Sequence, residues 1–134
     1  MHSTRIVTSF LRNDEEFLIL KRSSKVKSMK GLWAGISGLI ENNEEPLKRA
    51  EIEIFEEVGI KKQNLKLIKS GESMKIKSVQ YDNHEWEIFP FLFDVENPKI
   101  NLNWENSDYK WIKIEDLQKF DTVPSLDQVL INLL

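Results

Sequence analysis

Residues 38–60 read GLIENNEEPLKRAEIEIFEEVGI, and the periodicity inside this stretch defines one helix. Pro46 suits a first helical turn, where its missing N–H costs little, and Gly59 is a natural stop. The helix is therefore expected to run from Pro46 to Val58. On a wheel of about 100° per residue with Leu47 at zero, Leu47, Ala50, Ile54 and Val58 fall within roughly 80° of one another. That stripe is the core face. Glu56, Glu53 and Glu57 occupy an arc at roughly 180°, 240° and 280°. Three like charges at i, i+3 and i+4 repel, and a solvated acidic face is the plainest account of them. A hard divalent cation among the oxygens makes the same face favourable, so it is also a candidate magnesium site.

On the N-terminal side, Thr4 to Leu11 and Phe17 to Lys21 are apolar, β-prone runs split by Asn13-Asp14, the pattern of a hairpin. The polar, basic RSSKVKSMKG follows as a loop, and Leu32 to Ile40 reads as a short strand punctuated by Gly35 and Gly38. Beyond the helix, Leu65 to Gly71, Met74 to Gln80 and Trp86 to Val95 have strand character, with Pro90 pointing to an edge, bend or bulge. Tyr109 to Ile112 is a last short strand. Short helices are expected around Glu115 to Phe120 and from Ser125 to Leu133. Strands flanking a central helix, with a helical tail, predict an α/β (α+β) sandwich.

The chain has 134 residues, 40% hydrophobic and 31% charged, with a net charge of −3. That length fits one domain over residues 1–134 with a single core. The acidic balance argues against a general nucleic-acid coat, although a local basic patch keeps RNA within reach. Absence of cysteine removes disulfides, thiolate metal sites and cysteine nucleophiles. His2 and His84 are too few and too far apart for a zinc site, and His84, in the turn-like YDNHEW, is assigned no role. Neither a signal peptide nor a long apolar run is read, so no membrane association and a cytoplasmic location are expected.

The helix segment resembles the signature of the Nudix hydrolases: Gly, five residues, Glu, seven residues, then Arg-Glu-apolar-x-Glu-Glu-x-Gly-apolar. Gly38, Glu44, Glu53, Ile54, Glu56, Glu57, Gly59 and Ile60 match in register. The resemblance implies a Nudix-type α/β/α sandwich with a mixed sheet, and hydrolysis of a nucleoside diphosphate linked to another moiety X with Mg²⁺ or Mn²⁺. It makes Glu53, Glu56 and Glu57 metal ligands, Glu53 a partner of the attacking water, and the Ser37 or Gly38 carbonyl a further ligand. Glu44 is implied as a supporting residue that ties loop to helix. One position departs: Ile52 stands where the family has arginine. Isoleucine removes a charge and five donors, and Arg49, one turn before Glu53, is expected to replace it in part.

Outside the signature, Lys21, Arg22, Lys25, Lys27 and Lys30 form a basic stretch that could meet phosphates or be merely solvated, with Arg22 the first candidate and Lys21 the next. Trp33 fits the core or a stacking role, core being the commoner use. Among Tyr81, Trp86 and Phe89, one residue could line a nucleobase pocket, and Tyr81 is the candidate taken forward. The stretch NWENSDYKWI resembles the Glu-containing segment before the last strand of many Nudix proteins, which makes Glu105 a candidate ligand or general base and Asp108 the next choice, a plain surface-loop carboxylate being the equal alternative. Trp111 is expected to face the core. The tail could cover the core or form the seam of a homodimer. The partner expected is a small nucleotide, with a capped RNA 5′ end among the family's substrate classes. The competing reading is a nucleotide-binding Nudix-fold module with weak or no hydrolysis, because Ile52 replaces the arginine.

Overall fold

In the computed structural model, which describes residues 2–77, 83–96 and 98–134, strand alternation sorts side chains into two cores on opposite faces of one sheet. The elements are β1 (His2–Asn13), β2 (Glu16–Arg22), β3 (Trp33–Ala34), β4 (Ile36–Leu39), α1 (Pro46–Val58), β5 (Lys66–Ser70), β6 (Met74–Lys77), β7 (His84–Asp94), β8 (Asn106–Ile112) and α2 (Leu126–Ile131). Strand order is β3-β2-β1-β7-β5, with β4 on β1, β6 on β7 and β8 on β2. β1 and β7 run parallel through the middle from His2↔His84 to Arg12↔Asp94. The other pairings among these strands are antiparallel, so the sheet is mixed, as expected.

On one face Val7, Leu11, Leu18, Leu20, Phe91 and Phe93 meet Ala50, Ile54 and Val58 of α1. Their neighbours Phe10, Phe17, Ile19, Ile88 and Leu92 point the other way and meet Leu117, Leu126, Val129, Leu130 and Leu133 of the tail. A period of two along strands and a helical stripe on each cover produce the α/β/α layering. The tail thus covers the core. Truncating a fully buried residue such as Ile54 to alanine is expected to cost about 2–5 kcal/mol.

Several sequence expectations are corrected by tertiary pairing. Leu32 to Ile40 forms two strands, because at Gly35 the chain passes from β2 to β1. A Cβ there would lie 3.0 Å from the Ser9 carbonyl oxygen, so glycine lets the chain cross without displacing β1. Pro90 is not at an edge: it pairs with Thr8 of β1 where β7 changes partner from β6 to β5, and its carbonyl accepts from the Gly71 N–H at 3.0 Å. The missing N–H therefore falls in a gap of the ladder. β8 begins at Asn106, three residues before the expected Tyr109, and the segment near Glu115 is a 3₁₀ helix, Ile114–Lys119. Residues 78–80, expected to end a strand, lie outside the described residues.

Candidate active site

α1 needs its N-terminal proline and its C-terminal glycine. Pro46 occupies the first turn, and Gly59 sits at φ 78° with its N–H donating to the Phe55 carbonyl. The Val58 carbonyl is capped by the Asn101 N–H at 2.9 Å. So fixed, the helix buries two glutamates as well as its apolar stripe: Glu53 is 8% exposed and Glu57 3%. Glu56 is exposed. The wheel carried this signal, since Glu57 lies only about 20° from Ala50 whereas Glu56 is opposite the core stripe.

Glu53 lies directly against β4. A methyl group added at Gly38 would fall on its carboxylate, 2.7 Å from Oε2, so the glycine is the space in which Glu53 sits. Arg49 holds that carboxylate from the other side, donating from Nη1 to Glu53 Oε2 at 3.0 Å. The same guanidinium grips Glu44 in a fork, Nε to Oε1 at 3.0 Å and Nη2 to Oε2 at 2.6 Å. Glu44 Oε1 also accepts from the Glu41 N–H at 2.7 Å. A five-donor side chain is thus shared between loop and helix, and it comes from position 49. Ile52 is 41% exposed and contributes no donor.

The third carboxylate comes from a distant loop. Oxygens of Glu53, Glu57 and Glu105 all lie within 4.8 Å of one another. Asn103 Nδ2 donates to Glu105 Oε1 at 3.2 Å, and Asn103 Oδ1 accepts from the Glu105 N–H at 3.1 Å. Asn106, the buried first residue of β8, donates to Glu57 Oε1 at 3.0 Å. Glu57 Oε2 is buried with no protein donor. Burial pushes the Glu57 carboxyl well above the usual carboxylate range, against the Asn106 hydrogen bond and with help from the Glu105 and Glu53 charges. Glu53 is raised too, first by burial, while Arg49 pulls it down. Something positive, a proton or a cation, has to stand among these oxygens.

Beside the trio opens a cavity of ≈ 720 Å³ that Glu53 and Glu105 line and Glu57 does not. Its lining combines polar residues, Arg22, Lys27, Arg49, Glu53, Glu56 and Glu105 among them, with apolar ones that include Ile6, Ile76, Trp86, Ile88 and Val129. Arg22 is steadied by two bonds to the Ser28 carbonyl, 3.1 Å from Nε and 3.0 Å from Nη2. Burial lowers its pKa, opposed by the charges of Glu57 and Glu105.

Two expected contacts are not brought to this cavity. Lys21, next to Arg22, is absent from the lining, since neighbours on a strand face opposite ways. Trp33 is packed edge-on to Phe120 at 5.3 Å and is only 9% exposed, so it belongs to the core. Tyr81 lies outside the described residues. Of its aromatic group, Trp86 lines the cavity, while Phe89 carries the Arg5 guanidinium over its ring at 5.0 Å. Asp108 pairs across β2 with Lys21 and stays exposed. His84 is not a turn residue: it opens β7, with Nε2 2.8 Å from Thr4 Oγ1. Sequence reasoning gave no role to Asn106, Asn103 or Trp104. A clue was available in the short NWEN, whose two amides bracket Glu105.

Against known families, the model of the NUDIX domain matches residues 2–133. The chain belongs to the Nudix family. This Nudix domain is 29% identical to nucleoside triphosphatase NudI of Escherichia coli over 126 residues, 90% of this chain and 89% of the relative. Among solved structures it resembles a MutT protein from Methanosarcina mazei Go1 (21% identity, TM-score 0.76, covering 97% of this chain and 91% of that one). It also resembles a C. elegans Ap4A hydrolase (18%, 0.76, 98% and 94%). A third is the NUDIX domain of Shewanella oneidensis NrtR complexed with ADP ribose (14%, 0.78, 98% and 86%). At these identities the structural likeness shows the fold.

A divalent cation fits the residues present. The Glu53, Glu57 and Glu105 donors are all hard carboxylate oxygens, the kind that suit Mg²⁺ or Mn²⁺ rather than softer metals. The unpartnered buried oxygen of Glu57 supplies the independent sign. Among the described residues no helix is long and apolar enough to cross a membrane.

Proposed function

We propose that this Nudix domain is a pyrophosphohydrolase that cleaves nucleoside diphosphates linked to a moiety X, by attack of water on phosphorus with Mg²⁺ or Mn²⁺ as cofactor. The observation that carries the reading is the convergence of Glu53, Glu57 and Glu105 beside a cavity large enough for a nucleotide, which Glu53 and Glu105 line. Glu53, Glu57 and Glu105 would hold the metal, with Glu56 at the rim and the Ser37 or Gly38 carbonyl as a further donor. The bound ion neutralises phosphate charge and lowers the pKa of water. Glu53 accepts the water's proton, and Arg49 keeps its carboxylate aimed while doing so. Arg22 and Lys27 pair with the phosphates.

A relative bearing the name nucleoside triphosphatase makes nucleoside triphosphates the first substrates to try, followed by dinucleoside polyphosphates and ADP-ribose. Phosphate or pyrophosphate release from this panel, with Mg²⁺, with Mn²⁺ and with chelator, tests the proposal. Metal-dependent release that is lost in Glu53→Gln is the expected result. Ile52, which lacks the signature guanidinium, favours a second reading in which nucleotides bind but are hydrolysed poorly or not at all. Binding by calorimetry with no release from any member of the panel would establish that second reading.

A further inference from the structure

Trp104 is placed unlike the other tryptophans. Its residue is 60% exposed, whereas Trp33 is buried in the core, yet its side of the chain lines the cavity beside Glu105. The backbone under it is held firmly. The buried Ser23 donates its hydroxyl to the Trp104 carbonyl at 2.7 Å, the Ser23 N–H donates to the Glu105 carbonyl at 2.8 Å, and Asn103 clamps Glu105 through both its amide atoms. A rigid backbone presenting a large, unburied indole is the arrangement of a platform rather than of a packing residue. An aromatic ring in the lining of a cavity is within reach of its ligand, and every nucleobase has a flat face that stacks on an aromatic ring irrespective of its hydrogen-bonding edge.

We infer that Trp104 is a substrate-binding residue that stacks on the nucleobase of the nucleotide whose phosphates reach the Glu53, Glu57 and Glu105 cluster. This rests on the proposed nucleotide reading and adds to it the part of the chain that holds the base. Because stacking does not read base edges, the contact favours nucleotides over base-free polyphosphates without choosing strongly among bases.

The test is equilibrium binding by calorimetry of a nucleoside triphosphate and of inorganic tripolyphosphate, with Mg²⁺, to the wild type, Trp104→Ala and Trp104→Phe. The expected result is a roughly 5- to 100-fold weaker nucleotide affinity in Trp104→Ala, the range that loss of one base–aromatic stack produces. Tripolyphosphate affinity should not change, and Trp104→Phe should keep most of the nucleotide affinity. Since the indole is exposed, both variants should melt with the wild type. Equal loss for nucleotide and tripolyphosphate, or no loss for either, overturns the stacking role while leaving the hydrolase reading intact. Wild-type protein that binds tripolyphosphate but no nucleotide overturns both. Binding is read without turnover, so an inactive wild type would count against hydrolysis and still test Trp104.

Discussion

Replacing Arg49 with alanine tests the proposal that this side chain does part of the work of the signature arginine. In the folded chain its guanidinium makes two bonds to Glu44 and one to Glu53. The Glu53 bond matters most to the site, because that carboxylate is buried and faces the like charges of Glu56 and Glu105, and Arg49 is the strongest influence that favours its ionised form. One charge-assisted hydrogen bond of this kind is worth about 1.5–3 kcal/mol, or 10- to 100-fold. The same range describes what metal sites lose when a supporting partner is removed. Arg49→Ala should therefore shift the Mg²⁺ midpoint for phosphate release, and for the metal-dependent rise in Tm, 10- to 100-fold higher. The shift should be larger at acid pH, where a proton competes for Glu53. Adding Ile52→Arg to Arg49→Ala should recover part of the loss, since position 52 is exposed enough to accept the longer side chain. An Arg49→Ala protein with the wild-type Mg²⁺ midpoint and turnover would refute the idea that Arg49 does the positioning.

Other outcomes follow from the same geometry. Glu57→Gln removes a buried, like-charged oxygen but keeps its shape, so the metal-free protein should remain folded with an unchanged or higher Tm while the Mg²⁺-induced Tm rise disappears; an undiminished rise would exclude Glu57 as a ligand. Gly38→Ala places a methyl group on Glu53, and overpacking of this kind costs about 1–3 kcal/mol, so calorimetric unfolding should show that loss together with a fall in activity. As for pH, the Glu57 and Glu53 carboxyls are raised in the folded state, so the metal-free fold binds protons more tightly than the unfolded chain. Their stabilisation is complete below the unfolded value near 4.5 and is lost as pH rises through the folded values. Metal-free Tm should accordingly fall as pH rises above about 4.5, while the Tm gain from Mg²⁺ grows over the same span. A metal-free Tm that rises or stays level there would contradict the raised carboxyls.

Whatever recurs within one element could be read from the sequence, because a period of 3.6 or 2 fixes which side chains share a face before any partner is chosen. Pro46, Gly59, the Leu47–Val58 stripe and the carboxylate arc defined α1. Gly38, Glu44 and Gly59 in register tied that helix to a family, and Arg49 was placed one turn from Glu53. The wheel angles of the glutamates also held their order of burial, though the arc by itself reads only as one carboxylate face. Periodicity carries no information about distances between elements, and there only the tertiary structure decided. Pairing β8 with β2 brought Glu105 to Glu53 and Asn106 to Glu57, contacts separated by about fifty residues of chain. Strand pairing also put Arg22 in the cavity and left Lys21 out of it, sank Trp33 against Phe120, and set Trp104 in the cavity lining. The three glutamates of one helix were a property of the sequence; the three carboxylates that converge, Glu53, Glu57 and Glu105, are a property of the sheet that carries them together.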